Sequence, residues 1–69
     1  MKISARNVLP GKVQGIVKGP VSTEVTCRLT GGDDIFSVIT KTSAEKLNLK
    51  EGLEVYVVIK ASNVMIATE

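Results

Sequence analysis

Apolar and polar side chains alternate with a period of two along most of this chain. Between Val21 and Leu29, Val21, Val25, Cys27 and Leu29 share one face while Ser22, Glu24 and Arg28 share the other, the pattern of a strand that buries one side. Lys12 to Val17 predicts a strand before it, with Lys18-Gly19-Pro20 as the turn, and Gly31-Gly32-Asp33-Asp34 leads on to a strand over Ile35 to Thr40. These segments predict an antiparallel meander. After Thr40 the period breaks. Thr42-Ser43-Ala44-Glu45 has the form of a capping box, with Thr42 as N-cap and Glu45 at the third helical position, and predicts a short helix ended by Lys50-Glu51-Gly52. Leu53 to Ala61, rich in β-branched residues, predicts a further strand, and Val64 to Ala67 a short one after a turn at Ser62-Asn63.

Five to six short strands around one small helix predict an all-β fold, a small OB-like Greek-key barrel, although an SH3-like barrel would give a similar string. No linker, repeat or low-complexity stretch divides residues 1–69, so they read as a single domain. Two strands are apolar on both faces: Val55, Val57 and Ile59 back onto Tyr56 and Val58, and Ile35 and Ile39 back onto Phe36 and Val38. In a barrel this small, strands buried on both sides imply cover by another chain.

Length points the same way, because 69 residues bury too little apolar surface to be stable without a staple, a metal or partner subunits. One cysteine permits no internal disulfide, and the absence of histidine leaves no zinc site, so self-association is the expected supplement. Hydrophobic content is 43%, yet no apolar run approaches the roughly 18 residues of a transmembrane helix. The N-terminus enters strand pattern with no apolar leader, which predicts a cytoplasmic protein. A net charge of +2 with interspersed signs is too weak for a nucleic-acid surface.

Chemistry concentrates at two separated stretches, Ser4-Ala5-Arg6-Asn7 and Val58-Ile59-Lys60-Ala61-Ser62-Asn63. On a strand, Ser4 and Arg6 project from one face with roughly 7 Å between their Cα atoms, within reach of one small anion. Arg6 offers a planar fork of N–H donors, Lys60 a compact charge and Ser4 a hydroxyl, and no carboxylate interrupts either stretch. Backbone N–H groups at the Ala61-Ser62 turn and at the Ser43 helix start would extend such a shell. Each residue alone has a plainer reading, Arg6 and Lys60 as solvated charges and Ser4 as an edge hydroxyl. Cys27 reads as a small buried hydrophobe, Asp33-Asp34 as turn residues and Gly31-Gly32 as a turn and not a phosphate loop. Without histidine, a nucleophile beside a base or a spaced carboxylate pair, an enzyme has no foothold.

The Ser4-Ala5-Arg6-Asn7 start, the Gly31-Gly32 turn, the Ile39-Thr40 step and the Ile59-Lys60-Ala61 ending, in this order and spacing, resemble the molybdenum-pterin-binding proteins, or molbindins, built on Mop domains. The resemblance spans nearly the whole chain. It implies an OB-like barrel whose first strand is exchanged between subunits, and dimers assembled into a homohexamer. It further implies storage or buffering of the oxyanion molybdate, or of tungstate, at sites between subunits. Ser4, Arg6, Lys60 and the Ala61 backbone would come from one subunit, and Thr40, with Ser43 nearby, from its partner. A second anion site on the threefold axis would fall at Lys18, Gly19 and Val21. Molybdate and tungstate accept hydrogen bonds only, which suits a pocket of donors. Two other classes stand beside this one: a small OB-fold nucleic-acid binder, which needs aromatic stacking platforms where the chain has only Phe36 and Tyr56, and a structural or regulatory assembly domain.

Overall fold

In the computed structural model, which describes residues 1–69, the chain is a curled half-barrel of four antiparallel strands with one short helix. The strands are β1 (Asn7–Lys18), β2 (Ser22–Leu29), β3 (Asp34–Thr40) and β4 (Glu54–Ile59); the helix α1 (Lys41–Lys46) lies between β3 and β4. Their order in the sheet is β3-β2-β1-β4, so β1 is interior and β3 and β4 are the edges. The expected meander is β1-β2-β3.

β1 is longer than its pattern suggests. It begins at Asn7, runs through Pro10-Gly11, pairs with β4 over Asn7 to Lys12 and with β2 over Gly11 to Lys18. Pro10 is tolerated because its carbonyl remains a useful acceptor, taking the Thr30 N–H at 3.2 Å. Gly11 sits where β1 is paired on both sides, and a Cβ there would lie 2.6 Å from the Arg28 carbonyl oxygen. A register shift between Val13 and Gly15 leaves Gln14 as the extra residue of a bulge, which bends the strand and helps the sheet curl.

Val13, Val25 and Cys27 form the small core on the concave side, with Ile16, Ile39, Leu49, Leu53, Val55 and Val57 packed around it. The inward set of β2 is Thr23, Val25 and Cys27; Val21, expected inside, precedes the strand and is exposed. On the convex side the apolar residues of the two edge strands stand bare: Phe36 is 69% and Tyr56 63% exposed. Only four of the 69 residues are buried, which gives the two-faced strands of the sequence a concrete meaning.

Four strands replace the expected five to six because both terminal segments stay outside the sheet. Ser4 and Arg6 lie at bends before β1, so the pairing of their side chains on one strand face does not hold. Val64 to Ala67 has no strand structure, and only the 3-10 turn Ala61–Asn63 precedes it. The strand that was to extend to Ala61 ends at Ile59.

The helix also starts earlier than its capping box. Thr40, not Thr42, is the N-cap: its backbone is extended (φ −69°, ψ 151°) and its Oγ1 accepts the Ser43 N–H at 3.0 Å. The final residue of β3 already has the conformation a cap requires, so the turn forms at once and Glu45 falls too far along to reach back. Asn48, at φ 52°, ends the helix ahead of the Gly52 turn. Thr40→Ala should therefore cost about 1 kcal/mol while Thr42→Ala stays within about 0.5 kcal/mol, read as the order of midpoints in urea. Equal losses, or a larger loss at Thr42, would contradict this cap.

Candidate functional site

Where β1 begins and β4 ends, two chain segments are brought face to face. Asn7 pairs with Ile59 in the β1–β4 ladder, and the Asn7 Nδ2 donates to the Ile59 carbonyl at 3.2 Å. One step further along, Arg6 and Lys60 flank the end of the ladder. They line an open cleft of about 520 Å³ with Ser4, Ala5, Ala61 and Ser62, walled on its apolar side by Ile3 and Val58. Four of the six residues expected to bind an oxyanion, Ser4, Arg6, Lys60 and Ala61, are thus collected here although the strand geometry predicted for Ser4 and Arg6 is absent. Asn7, which clamps the two segments, and the Ser62 hydroxyl were not singled out. Asn7 directly follows the Ser4-Ala5-Arg6 run, and its side-chain donor was the available signal.

No carboxylate lines the cleft. The one ion pair of the chain lies elsewhere, between Arg28 and Asp34 at 2.8 Å on the convex face. That hydrogen-bonded pairing holds the Asp34 carboxyl below its usual range and raises the Arg28 guanidinium. Arg28 is committed, whereas Arg6 and Lys60 have no acidic partner. Both cations line the same open cleft, where each would attract an anion.

The turn after β4 adds backbone donors. It closes with the Asn63 N–H on the Lys60 carbonyl (2.9 Å) and the Val64 N–H on the Ala61 carbonyl (3.3 Å). Closure of this kind leaves the N–H groups of Ala61 and Ser62 without a partner in the turn.

Thr40 and Ser43 are not in this cleft. Thr40 pairs with Ser22, and Thr23 pairs with Lys18, so Thr40 lies at the other end of β1 and two strands over. The two halves therefore occupy opposite corners of the sheet. One chain cannot bring them together. At their own corner the Thr40 hydroxyl donates to Ser43 Oγ at 2.8 Å while accepting the Ser43 N–H. One of the two hydroxyl protons is used between them, and the other is left to face a ligand.

Of the three residues of the second expected site, Lys18 lines a different cleft of this chain, with Lys41 and Thr23. The Gly19 N–H is already given to the Ser22 carbonyl at 2.8 Å, and the Val21 carbonyl accepts the Lys41 N–H at 2.9 Å. No three His, Cys, Asp or Glu groups cluster as cation ligands, and burial pushes the Cys27 thiol up, away from the thiolate a metal would need. No helix is long and apolar enough to cross a membrane.

Comparison with known proteins places this geometry among relatives. The TOBE domain model matches residues 3–66. Molybdenum-pterin-binding protein 1 of Clostridium pasteurianum is 50% identical over 66 residues, covering 96% of this chain and 97% of that protein. Among solved structures, MopII from Clostridium pasteurianum superposes with a TM-score of 0.92 at 48% identity, covering 97% of this chain and all of that one. The cytoplasmic molybdate-binding protein ModG, solved with molybdate bound, gives a TM-score of 0.90 at 48% identity over 94% of this chain and 46% of its own.

Proposed function

This chain belongs to the TOBE-domain family, among the molybdenum-pterin-binding proteins, and from that premise we propose that it binds molybdate, or the isosteric tungstate, as a store or buffer. The observation that carries the reading is the cleft at the end of β1 and β4, where Arg6 and Lys60 flank one another and no carboxylate is present. Two cations match a tetrahedral dianion, the Arg6 fork fixes two of its oxygens, and Ser4 and the Ala61 and Ser62 N–H groups donate to the remainder.

One chain supplies only this half. The hydroxyl of Thr40 of the partner subunit, with Ser43 of the partner subunit beside it, completes the shell. Binding and self-association are then a single property, consistent with the bare apolar residues on both edge strands, and a homohexamer built from dimers is the assembly proposed. A weaker second position involves Lys18, Gly19 and Val21, where the Lys18 ammonium is the group with donors to spare. The protein acts by binding and not by catalysis. A cytoplasmic location is proposed in line with the description of ModG.

The test is isothermal titration with sodium molybdate in excess sulfate. Saturable heat that survives sulfate is the expected result. No heat, or heat abolished by sulfate, would overturn the reading. The nucleic-acid alternative gains nothing from the structure, since Phe36 and Tyr56 lie on opposite edge strands and form no stacking platform.

A further inference from the structure

Sulfate and molybdate are both tetrahedral dianions, so a pair of cations attracts either one alike. Size separates them, since molybdate has the longer bonds to oxygen, and a pocket reads size only when its donors are held at a fixed spacing. In this chain very little is available to hold them. No hydrogen bond reaches residues 1–6, the segment that carries Ser4 and Arg6. Across the cleft, the backbone bonds beyond Ile59 are those that the Ala61–Asn63 turn makes with itself. Both segments are therefore anchored to the sheet at one place, the last rung of the β1–β4 ladder, where Asn7 faces Ile59. There the Asn7 side chain adds a bond of its own, from Nδ2 to the Ile59 carbonyl at 3.2 Å. Both residues are half-buried, so water competes less for this bond than at an exposed site. Arg6 and Lys60 are the next residues along the two segments, exposed and without an ion pair. A shift at the rung passes to both cations within one residue.

We propose that Asn7 is a positioning residue of the oxyanion cleft, whose amide bond to Ile59 fixes the spacing of Arg6 and Lys60 and so sets the preference for molybdate over sulfate. The inference rests on the molybdate-binding reading above. Asn7 does not itself line the cleft, so it acts through the two cations and not by touching the anion. Removing its amide leaves both charges in place, and their attraction for any dianion persists. What is lost is the match to one size. Removing groups that orient the direct ligands of a metal site typically costs about 10- to 100-fold in affinity. A loss in that range is expected here for molybdate, and a much smaller one for sulfate, because a loosened pair of cations still follows the smaller ion.

Calorimetric titration with sodium molybdate at several fixed sulfate concentrations yields both affinities, and it is applied to the wild-type chain, Asn7→Ala, Asn7→Leu and Val25→Ala. Asn7→Leu keeps the bulk of the side chain without the donor, which separates the hydrogen bond from packing. Val25→Ala thins the core on β2 and lowers stability without touching a cleft residue. The expected result is a molybdate-to-sulfate affinity ratio lowered by about 10-fold or more in both Asn7 variants and unchanged in Val25→Ala. A merely structural role would lower the melting midpoint in all three variants and leave the ratio alone. A wild-type ratio in either Asn7 variant, or an equal fall in Val25→Ala, overturns the proposal while the binding reading stands. No heat from the wild-type chain overturns both, so the two failures are told apart.

Discussion

Arg6→Ala is expected to abolish tight molybdate binding while leaving the protein folded. The Arg6 fork stands at the end of the β1–β4 ladder with no acidic partner in the chain, so its donors are unspent until an anion arrives. Truncating one member of a desolvated, hydrogen-bonded charge pair costs about 2–5 kcal/mol, which corresponds to roughly 30-fold to several-thousand-fold in Kd. Arg6→Lys keeps the charge and loses the fork, so its affinity should fall between the two. Stability without ligand should be unchanged, because Arg6 is exposed and takes part in no ion pair. Titration calorimetry reads the affinity. A thermal melt with and without molybdate checks it independently, since a ligand that binds only the folded state raises the midpoint and the variant should lose that rise. An Arg6→Ala protein that keeps wild-type affinity would place the site elsewhere.

Gly11→Ala should cause the largest loss of stability among single-methyl additions. The new Cβ would sit 2.6 Å from the Arg28 carbonyl oxygen and 3.3 Å from the Leu29 Cα, both backbone atoms held in the β1–β2 ladder. Neither can swing aside as a flexible side chain would, so β1 must part from β2 at the residue where it also pairs with β4 through Val55. Overpacking of this kind costs about 1–3 kcal/mol, and in a domain of this size each kcal/mol lowers the melting midpoint by roughly 4–8 °C. Gly15→Ala is the control, because a Cβ there meets nothing within 4 Å. Melts at one protein concentration should show a clear drop for Gly11→Ala and little change for Gly15→Ala. Equal midpoints would mean that the close approach at Gly11 is not rigid.

Much of the fold and of the site was legible before any coordinates. The alternation around Val25 and Cys27 marked the inward face of β2, and the apolar residues on both faces of β3 and β4 marked surfaces that need a partner. The residues that line the candidate cleft were legible as types, a guanidinium, an ammonium and a hydroxyl without carboxylates. Their arrangement was not. Ser4 and Arg6 meet Lys60 because Asn7 is clamped to Ile59 across 52 positions of sequence, and no local period encodes a contact of that range.

Residue chemistry and period therefore determined the class of this protein: strands with a buried side, and a set of donors suited to an oxyanion. Tertiary structure alone decided which segments become strands and where the donors lie. Edge and interior positions are properties of a sheet and not of a peptide. Val64 to Ala67 has strand composition yet no neighbour in its own chain to supply the ladder, and Pro10-Gly11 looks like a break yet continues β1 because Tyr56 pairs with Pro10 on one side and Leu29 with Gly11 on the other. Thr40 shows the same rule, since the end of β3 makes it the cap of α1 and sets it at the opposite corner of the sheet from Arg6.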